Sequence, residues 1–439
     1  MKKTKLVKFA AASLLAVSVA LTGCGGDNGG TPGSGGNTGG GGGDQTLTVW
    51  TWDPAFNIFA MQEAEKIYQK DHPDFKLDIQ ETPWDDLQTK LTTIAQSQSW
   101  NELPDIFLMQ NNAYQKNVIN YPDLVQPLTD SGVTWDEFPE SVRAYSTIDG
   151  VNYGVPFDAG TAISALRTDI ISEAGLTTAD FTDITWDKYI ELGKQVKEKT
   201  GKAMLSGTAG SSDMIMMMLQ SSGASLFDDQ GNPTIVDNAT LNTAVETYVK
   251  LVKEGVYVEV NSWDEYVGGF VNGNIAGVVN GIWVVATMQT AEDQAGKWEV
   301  TNVPKLDGVA GATNYTANGG SSWAISQTGD FDLAADFLKS TFAGSTELYD
   351  IILPKAGAVA NWIPAGSSAV YKEPQPFFSD QPIFEMVVDF GSKVPANNTG
   401  AYYYEARDAV SAALTKVISG TDMATALAEA QSTVEFAMQ

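Results

Sequence analysis

Short apolar runs alternate with stretches of helical periodicity along the chain after residue 45. The first runs predict strands at 47–50, 75–79 and 106–109, and the last of these is apolar throughout, as a buried parallel strand requires. Between them, apolar residues at helical spacing predict helices at 56–67 and 84–98. This order of strand, helix, strand, helix and strand predicts a doubly wound α/β sheet.

The same alternation continues to the end of the chain. It predicts further strands at 153–156, 276–279 and 322–325 and further helices at 187–199, 331–341, 405–418 and after 421. The length from residue 46 onward suits one large bilobal body or two domains.

The first 45 residues follow a different pattern. Four lysines precede an apolar segment at 9–21 that is too short to cross a bilayer, and Leu21-Thr22-Gly23-Cys24 follows. We therefore expect residues 1–23 to be a lipoprotein signal peptide and Cys24, the only cysteine, to carry a lipid. The alternative is a buried free cysteine behind an ordinary secretion signal. Residues 24–45, with twelve glycines, read as a flexible linker between the lipid and the folded body.

The composition limits the choice of partners. Removal of residues 1–23 takes away four of the 26 basic residues and none of the 54 acidic ones, which leaves a net charge of −32. Such a surface repels nucleic acid and anionic headgroups, so we expect no nucleic-acid partner and membrane contact only through the lipid. The predicted location is the extracytoplasmic face of a cell membrane of the Gram-positive type.

Polar and aromatic side chains follow the predicted strands. In open α/β sheets ligands lie beyond the carboxyl ends of strands, so these side chains are the binding candidates. The candidates at strand ends are Trp52, Asp53, Gln110, Asn111, Asn112 and Asp158. Aromatic rings offer faces for the C–H groups of a sugar, and amides and carboxylates pair with its hydroxyls.

Several of these residues have structural alternatives. Asp53 precedes Pro54, which is also the pattern of a helix N-cap. Arg167 is predicted to pair with Asp169 or Glu173, and the methionine-rich run 214–218 to be adaptable core. Residues 228–232 lack the full spacing of a calcium loop and predict a turn.

The order of these segments resembles that of the family 1 extracellular solute-binding proteins of carbohydrate ABC importers. The resemblance is carried by Leu47-Thr48-Val49-Trp50, His72-Pro73, Pro104-Asp105-Ile106-Phe107, Tyr153-Gly154-Val155-Pro156, Ile184-Thr185-Trp186-Asp187, Asn280-Gly281-Ile282-Trp283, Gly320-Ser321-Ser322-Trp323-Ala324-Ile325 and Ala334-Ala335-Asp336-Phe337-Leu338. It implies two α/β lobes joined by crossover hinge strands, with a sugar or oligosaccharide in the cleft between them. We expect lobe 1 at 46–157 plus 302–346 and lobe 2 at 158–301 plus 347–439. It also implies a monomer that delivers its ligand to an ABC permease.

The resemblance also implies roles for single residues. Trp283 matches the family's ligand-stacking tryptophan, and Tyr403 and Arg407 match its C-terminal segment that runs from aromatic residues to an arginine. We expect Trp283 and Tyr403 to stack on the ligand, with Trp323 and Arg407 as further candidates; core packing remains open for Trp52, Trp283, Trp323 and Tyr403. The family's stacking tryptophan after the Pro-Asp strand is replaced by Met109, which indicates a ligand other than maltodextrin.

Catalysis is poorly supported by the residue types present. His72 is the only histidine and precedes a proline at a helix end, so His-dependent triads and His-ligated zinc are disfavoured. We expect no enzyme activity, no cofactor and no metal. The alternative is a cell-surface glycoside hydrolase, which needs only two carboxylates. A rigid surface adhesin is a third class.

Overall fold

The computed structural model describes residues 45–228, 230–395 and 399–439. The predicted signal peptide, Cys24 and the predicted linker up to residue 44 lie outside the described residues. Within the described part of the chain, no helix is long and apolar enough to cross a membrane.

The strands occupy most of the predicted positions. They are β1 (Thr46–Thr51), β2 (Lys76–Glu81), β3 (Ile106–Gln110), β4 (Thr147–Ile148), β5 (Val151–Asn152), β6 (Val155–Asp158), β7 (Ala162–Arg167), β8 (Leu205–Thr208), β9 (Tyr257–Val260), β10 (Gly277–Gly281), β11 (Trp298–Thr301) and β12 (Ser321–Ile325).

The helices lie between and after these strands. They are α1 (Phe59–Tyr68), α2 (Trp84–Ser97), α3 (Tyr114–Asn120), α4 (Glu140–Ser146), α5 (Thr168–Glu173), α6 (Trp186–Thr200), α7 (Asp213–Ser221), α8 (Ala239–Lys253), α9 (Trp263–Val271), α10 (Val284–Gln289), α11 (Phe331–Ser340), α12 (Thr346–Ala356), α13 (Ile383–Gly391), α14 (Tyr403–Ile418) and α15 (Met423–Ala437). A π-helical turn, Pro54–Ile58, precedes α1.

The first lobe is built on a five-stranded sheet of order β2-β1-β3-β12-β6. The strands β1, β2 and β3 are parallel, as the sequence predicts, whereas β12 is antiparallel to β3 and to β6. The carboxyl ends of β1 and β3 and the amino end of β12 therefore meet at one edge of the sheet.

The first sheet is covered on both faces. Ile106 and Leu108 point into core 1, which is formed with α1, α11 and α12, and Phe107 and Met109 point into core 2, formed with α2 and α3. This arrangement explains the unbroken apolar run in β3, because neither face of the strand meets water.

The second lobe contains a three-stranded antiparallel sheet of order β10-β7-β11 and the parallel pair β8-β9. Leu166 of β7 points into core 3, which is formed with α5 to α8, α14 and α15. Ile163 points into core 4, formed with α9, α10 and α13. The fold is therefore two α/β lobes, as predicted.

Among the described residues, three segments join the lobes. The first two run side by side at 158–162 and 316–321, where the Asn318 amide donates to the Gly160 carbonyl at 2.8 Å and the Ala162 amide to the Thr316 carbonyl at 2.9 Å. The third runs from Ala365, in core 1, to Tyr371, in core 4. We refer to the first two segments as the crossover.

The packing of the cores differs from the predicted lobe boundaries at two places. Core 1 of the first lobe extends beyond residue 346, where the sequence predicts that this lobe ends, and includes Leu348, Tyr349, Ile352, Ala356, Trp362 and Ala365, whereas Leu353 packs in core 4. Val303 and Leu306 pack in core 3 of the second lobe, although the sequence assigns 302 onward to the first. We therefore propose that the boundaries fall within the crossover and after residue 365.

Candidate functional site

A group of aromatic residues lies at the carboxyl ends of β1 and β3. The Trp52 ring centre is 5.2 Å from that of Trp84, and the Trp84 ring centre is 6.3 Å from that of Tyr404. Tyr403 packs edge-on against Tyr404 at 5.4 Å. These four residues are referred to below as the first aromatic cluster. Trp52 contacts both cores of the first lobe, which places it at the sheet edge.

Helix α14 joins this cluster to the second lobe. Its first residues, Tyr403 and Tyr404, pack in core 2 of the first lobe, whereas Ala406 and Val410 pack in core 3 of the second. The first turn of α14 therefore lies at the boundary between the lobes.

Polar contacts hold the first turn of α14 against the first lobe. The Tyr404 hydroxyl donates to Gln110 Oε1 at 2.9 Å, and Lys116 Nζ lies 2.6 Å from Glu405 Oε1. Burial raises the pKa of Tyr404, so its phenol is a neutral hydrogen-bonding group.

Arg407 lies beside the cluster, with its guanidinium 5.7 Å from the Tyr404 ring centre and 3.4 Å from Asp213 Oδ1 of the second lobe. Asp213 was not among the predicted residues. It begins α7, and the chain offers no pattern that connects α7 with α14.

A second aromatic group surrounds Trp283, at the start of α10. The Trp263 ring centre is 6.0 Å from that of Trp283 and 5.0 Å from that of Tyr266. Trp263 is 48% exposed, an unusually high value for a tryptophan. Its helical spacing with Tyr266 and Phe270 predicts burial, so no sequence signal marks it as a surface residue. We call Trp263, Tyr266 and Trp283 the second aromatic cluster.

The structure places the two stacking candidates in different clusters. Trp283 packs against core 1 of the first lobe and core 4 of the second, and so lies between the lobes. Tyr403 lies in core 2 and is 9% exposed. Both residues are at the lobe boundary, where their rings pack against different neighbours.

Buried polar residues fill the gap between the sheet edge and the crossover. Ser322 Oγ donates to Asn111 Oδ1 at 2.9 Å, and Ser321 Oγ donates to Asp158. Asp158 is 3% exposed and also accepts from the backbone amides of Gly160 and Ser321. Burial raises the pKa of Asp158 to about 6. Asp158 therefore holds the first crossover segment against β12, and Asn111 holds the end of β3 against the same strand. Asn112 is half-buried next to them.

Two candidates have structural roles. Trp323 is fully buried in core 1, where its ring centre is 5.5 Å from Phe157 and 5.4 Å from Phe342, so it offers no face to a ligand. This corrects its assignment as a binding residue. Asp53 accepts from the amides of Ala55 and Phe56 at 2.8 and 3.1 Å, as a helix cap does.

Three structural predictions hold. Arg167 pairs with Asp169, with Nε at 2.9 Å and an Nη at 2.8 Å from the carboxylate. The methionine-rich run is mostly core, and only Met216 contacts both core 2 and core 3. The Asp228 amide donates to the Asn232 carbonyl at 2.9 Å, as in the predicted turn, and residue 229 lies outside the described residues.

A cavity of about 190 Å³ adjoins the crossover. Its lining includes Gln115 and Tyr145 from the first lobe, Gln220 from the second and Ala159 and Ala317 from the crossover. None of the ten predicted ligand-binding residues lines it. Across the described residues, no group of three or more His, Cys, Asp or Glu side chains is arranged to hold a metal ion.

Two α/β lobes with aromatic and amide side chains at their boundary define a binding protein of the two-lobed solute-receptor class. Residues 63–354 match the model of the bacterial extracellular solute-binding protein family. The chain therefore belongs to that family, whose members bind solutes on the extracytoplasmic side of the membrane.

Named relatives agree with this assignment. The lactose-binding protein of Rhizobium radiobacter is 35% identical over 376 residues, which cover 85% of this chain and 89% of that protein. The arabinooligosaccharide-binding protein of Halalkalibacterium halodurans is 25% identical over 415 residues, 90% of each chain. The GacH receptor of Streptomyces glaucescens has the same fold, with a TM-score of 0.74, 18% identity and coverage of 90% of this chain and 97% of that one.

Proposed function

We propose that the protein captures a sugar or short oligosaccharide outside the cell and delivers it to the permease of an ABC importer. The observation that carries this proposal is the placement of Trp283, in contact with cores of both lobes, beside an exposed Trp263. Indole faces at a lobe boundary suit the C–H faces of a sugar. The names of the relatives, which refer to lactose and arabinooligosaccharides, support the same ligand class.

The mechanism is a clamp. The sugar docks on one lobe, and rotation about the crossover brings the other lobe onto it, which completes stacking and hydrogen bonds. The Tyr404–Gln110 and Lys116–Glu405 contacts support this proposal, because they hold the first turn of α14, a helix that continues into the second lobe, against the first lobe. The permease then recognises the closed form. We further propose that the protein acts as a monomer held at the membrane by a lipid on Cys24.

Calorimetry tests the ligand class directly. The protein is titrated with lactose, an arabinooligosaccharide and mannitol, and with leucine as a non-sugar control. We expect one of the sugars to bind in the micromolar range, about −8 kcal/mol, and leucine to give no heat. Small-angle scattering with the bound sugar should show a smaller radius of gyration. Absence of binding across a wider glycan panel would refute the proposal.

Prolonged incubation distinguishes a receptor from the alternative glycoside hydrolase. We expect stoichiometric binding without release of reducing ends, because catalysis by two carboxylates is not part of the proposed site. Accumulation of reducing ends over many equivalents of protein would instead assign an enzyme.

The mutation Trp283→Ala should weaken sugar binding by roughly tenfold, or about 1.4 kcal/mol, because one stacking face is lost. The comparison is Trp135→Ala, at a half-buried tryptophan that packs beside Phe138 in the first lobe. Calorimetry with the same sugar should give wild-type affinity for this second variant. Equal affinities of wild type and Trp283→Ala would remove Trp283 from the site.

A further inference from the structure

The crossover and the second aromatic cluster meet at one atom, the carbonyl oxygen of Asn318. Trp283 Nε1 donates to this oxygen at 2.9 Å. The amide of the same residue donates to the Gly160 carbonyl at 2.8 Å, which pairs the two strands of the crossover. The indole of Trp283 is therefore attached to the segment about which the lobes rotate, rather than only to its own lobe.

Two glycines make room for this contact. A Cβ at Gly160 would lie 2.5 Å from the Asn318 carbonyl oxygen, and a Cβ at Gly281 would lie 2.7 Å from the same oxygen. The Cβ at Gly281 would also lie 2.2 Å from Trp283 Nε1. A side chain at either position would collide with the bonded atoms, so the indole reaches the carbonyl because both positions lack one.

The side chain of Asn318 continues the connection into the second lobe. Asn318 Nδ2 donates to Asn280 Oδ1 at 2.8 Å, and Asn280 Nδ2 donates to the Tyr266 hydroxyl at 2.9 Å. Asn280 is 7% exposed and its Oδ1 also accepts from the Gly281 amide at 2.8 Å. Hydrogen bonds therefore run without a break from the crossover through Asn280 to Tyr266, while the carbonyl bond reaches Trp283.

We propose that Asn318 is a positioning residue that couples the crossover to the second aromatic cluster. Its carbonyl fixes the Trp283 indole and its side chain fixes Asn280, so that the second aromatic cluster turns with the crossover when the lobes close. The proposal rests on the proposed sugar site at Trp283. Under this proposal, Asn318 affects sugar affinity without contacting the sugar. The reason is that the crossover sets the angle at which the Trp283 indole meets the sugar ring.

A matched pair of tryptophan variants separates this role from ordinary stabilisation. Trp283→Phe keeps an aromatic face but removes the N–H that reaches Asn318. Trp298→Phe removes an indole hydrogen bond of similar length, from Trp298 Nε1 to Gln294 Oε1 at 2.8 Å, which is buried inside the second lobe. Both variants should unfold at lower urea concentration. With lactose, or with whichever sugar of the panel binds, only Trp283→Phe should weaken affinity, by about two- to tenfold.

Two results in this experiment would overturn the proposal: unchanged affinity of Trp283→Phe in a protein that binds sugar, or equal losses in both variants. Asn318→Ala, which keeps the carbonyl but removes the bond to Asn280, should also weaken affinity. It should reduce the sugar-induced decrease in radius of gyration as well, which a purely structural role would leave unchanged.

Hydrogen exchange in the absence of sugar tests the bond between the Trp283 indole and Asn318 even if no probe sugar binds. The Trp283 indole N–H should exchange at least tenfold more slowly than that of the exposed Trp263, and Gly281→Ala should abolish this protection. Equally fast exchange at both indoles in the wild type would refute the Asn318 contact. Failure of all sugars to bind, with protection intact, would refute the proposed ligand class and leave the contact established.

Discussion

The mutation Trp323→Ala is expected to lower the free energy of unfolding by about 3–5 kcal/mol while leaving the sugar affinity of the folded protein unchanged. The side chain is fully buried between Phe157 and Phe342 in core 1 of the first lobe. Removal of the indole deletes its dispersion contacts and leaves a cavity that the neighbouring side chains of core 1 can only partly fill.

Urea denaturation measures the first effect, and calorimetry under native conditions measures the second. The control is Trp263→Ala, because Trp263 is 48% exposed and its removal should cost less than about 1 kcal/mol. The two variants should thus show opposite behaviour, with the buried residue affecting stability and the surface residue affecting ligand binding. Loss of sugar affinity in Trp323→Ala without a large loss of stability would restore Trp323 to the binding site.

Much of the first lobe follows from the sequence. Its first three strands and two helices lie within a few residues of their predicted positions, because each depends on local periodicity and local stop signals. The apolar run at 106–109 predicts a strand buried on both faces, and cores 1 and 2 bury alternate residues of it. The antiparallel entry of β12 depends on the chain's return from the second lobe, which no local pattern encodes.

The same double burial explains the error at Trp323. In a strand with one solvent-exposed face, the alternation of polar and apolar residues would show which side chains reach solvent. Both faces of β12 are covered, with Trp323 in core 1 and Ala324 in core 2, so alternation carries no information about exposure. The resemblance then suggests ligand contact for Trp323, with core packing as the alternative, and its burial supports core packing.

The run of three tyrosines at the start of α14, from Tyr402 to Tyr404, shows a second limit of the sequence prediction. A rotation of one helical residue, about 100°, decides which ring meets the first lobe. The resemblance selects Tyr403, but the bond to Gln110 comes from Tyr404. Because this choice depends on how α14 docks between the lobes, sequence spacing narrows the candidates without selecting one.

The buried carboxylate at the crossover leads to the second large effect. Asp158 lies where β6 enters the crossover, and its pKa is raised to about 6 because burial penalises the charged form. In the unfolded chain an aspartate titrates near its ordinary value of about 4. Between these two values the native state binds a proton that the unfolded state does not.

The sign of the pH dependence follows from this difference. A group whose native pKa is raised adds stability that is complete below the unfolded pKa and is lost as the pH rises through the native pKa. We therefore expect the free energy of unfolding to decrease from about pH 4 to slightly above pH 6, by at most about 3 kcal/mol from this group. Above that range, the buried carboxylate is charged and relies on Ser321 Oγ and two backbone amides for its stability.

Urea denaturation at a series of pH values, with Asp158→Asn beside the wild type, isolates this contribution. The difference between the two curves should change across pH 4–6.5 and be flat on either side. Asp180→Asn serves as a control of opposite sign, because the Thr177 backbone and hydroxyl bonds lower the pKa of the exposed Asp180. The substitution Asp180→Asn should reduce the free energy of unfolding above about pH 4 but not below it. A constant difference between wild type and Asp158→Asn across pH 4–6.5 would show that Asp158 keeps an ordinary pKa, and the crossover would then hold a charged carboxylate above about pH 4.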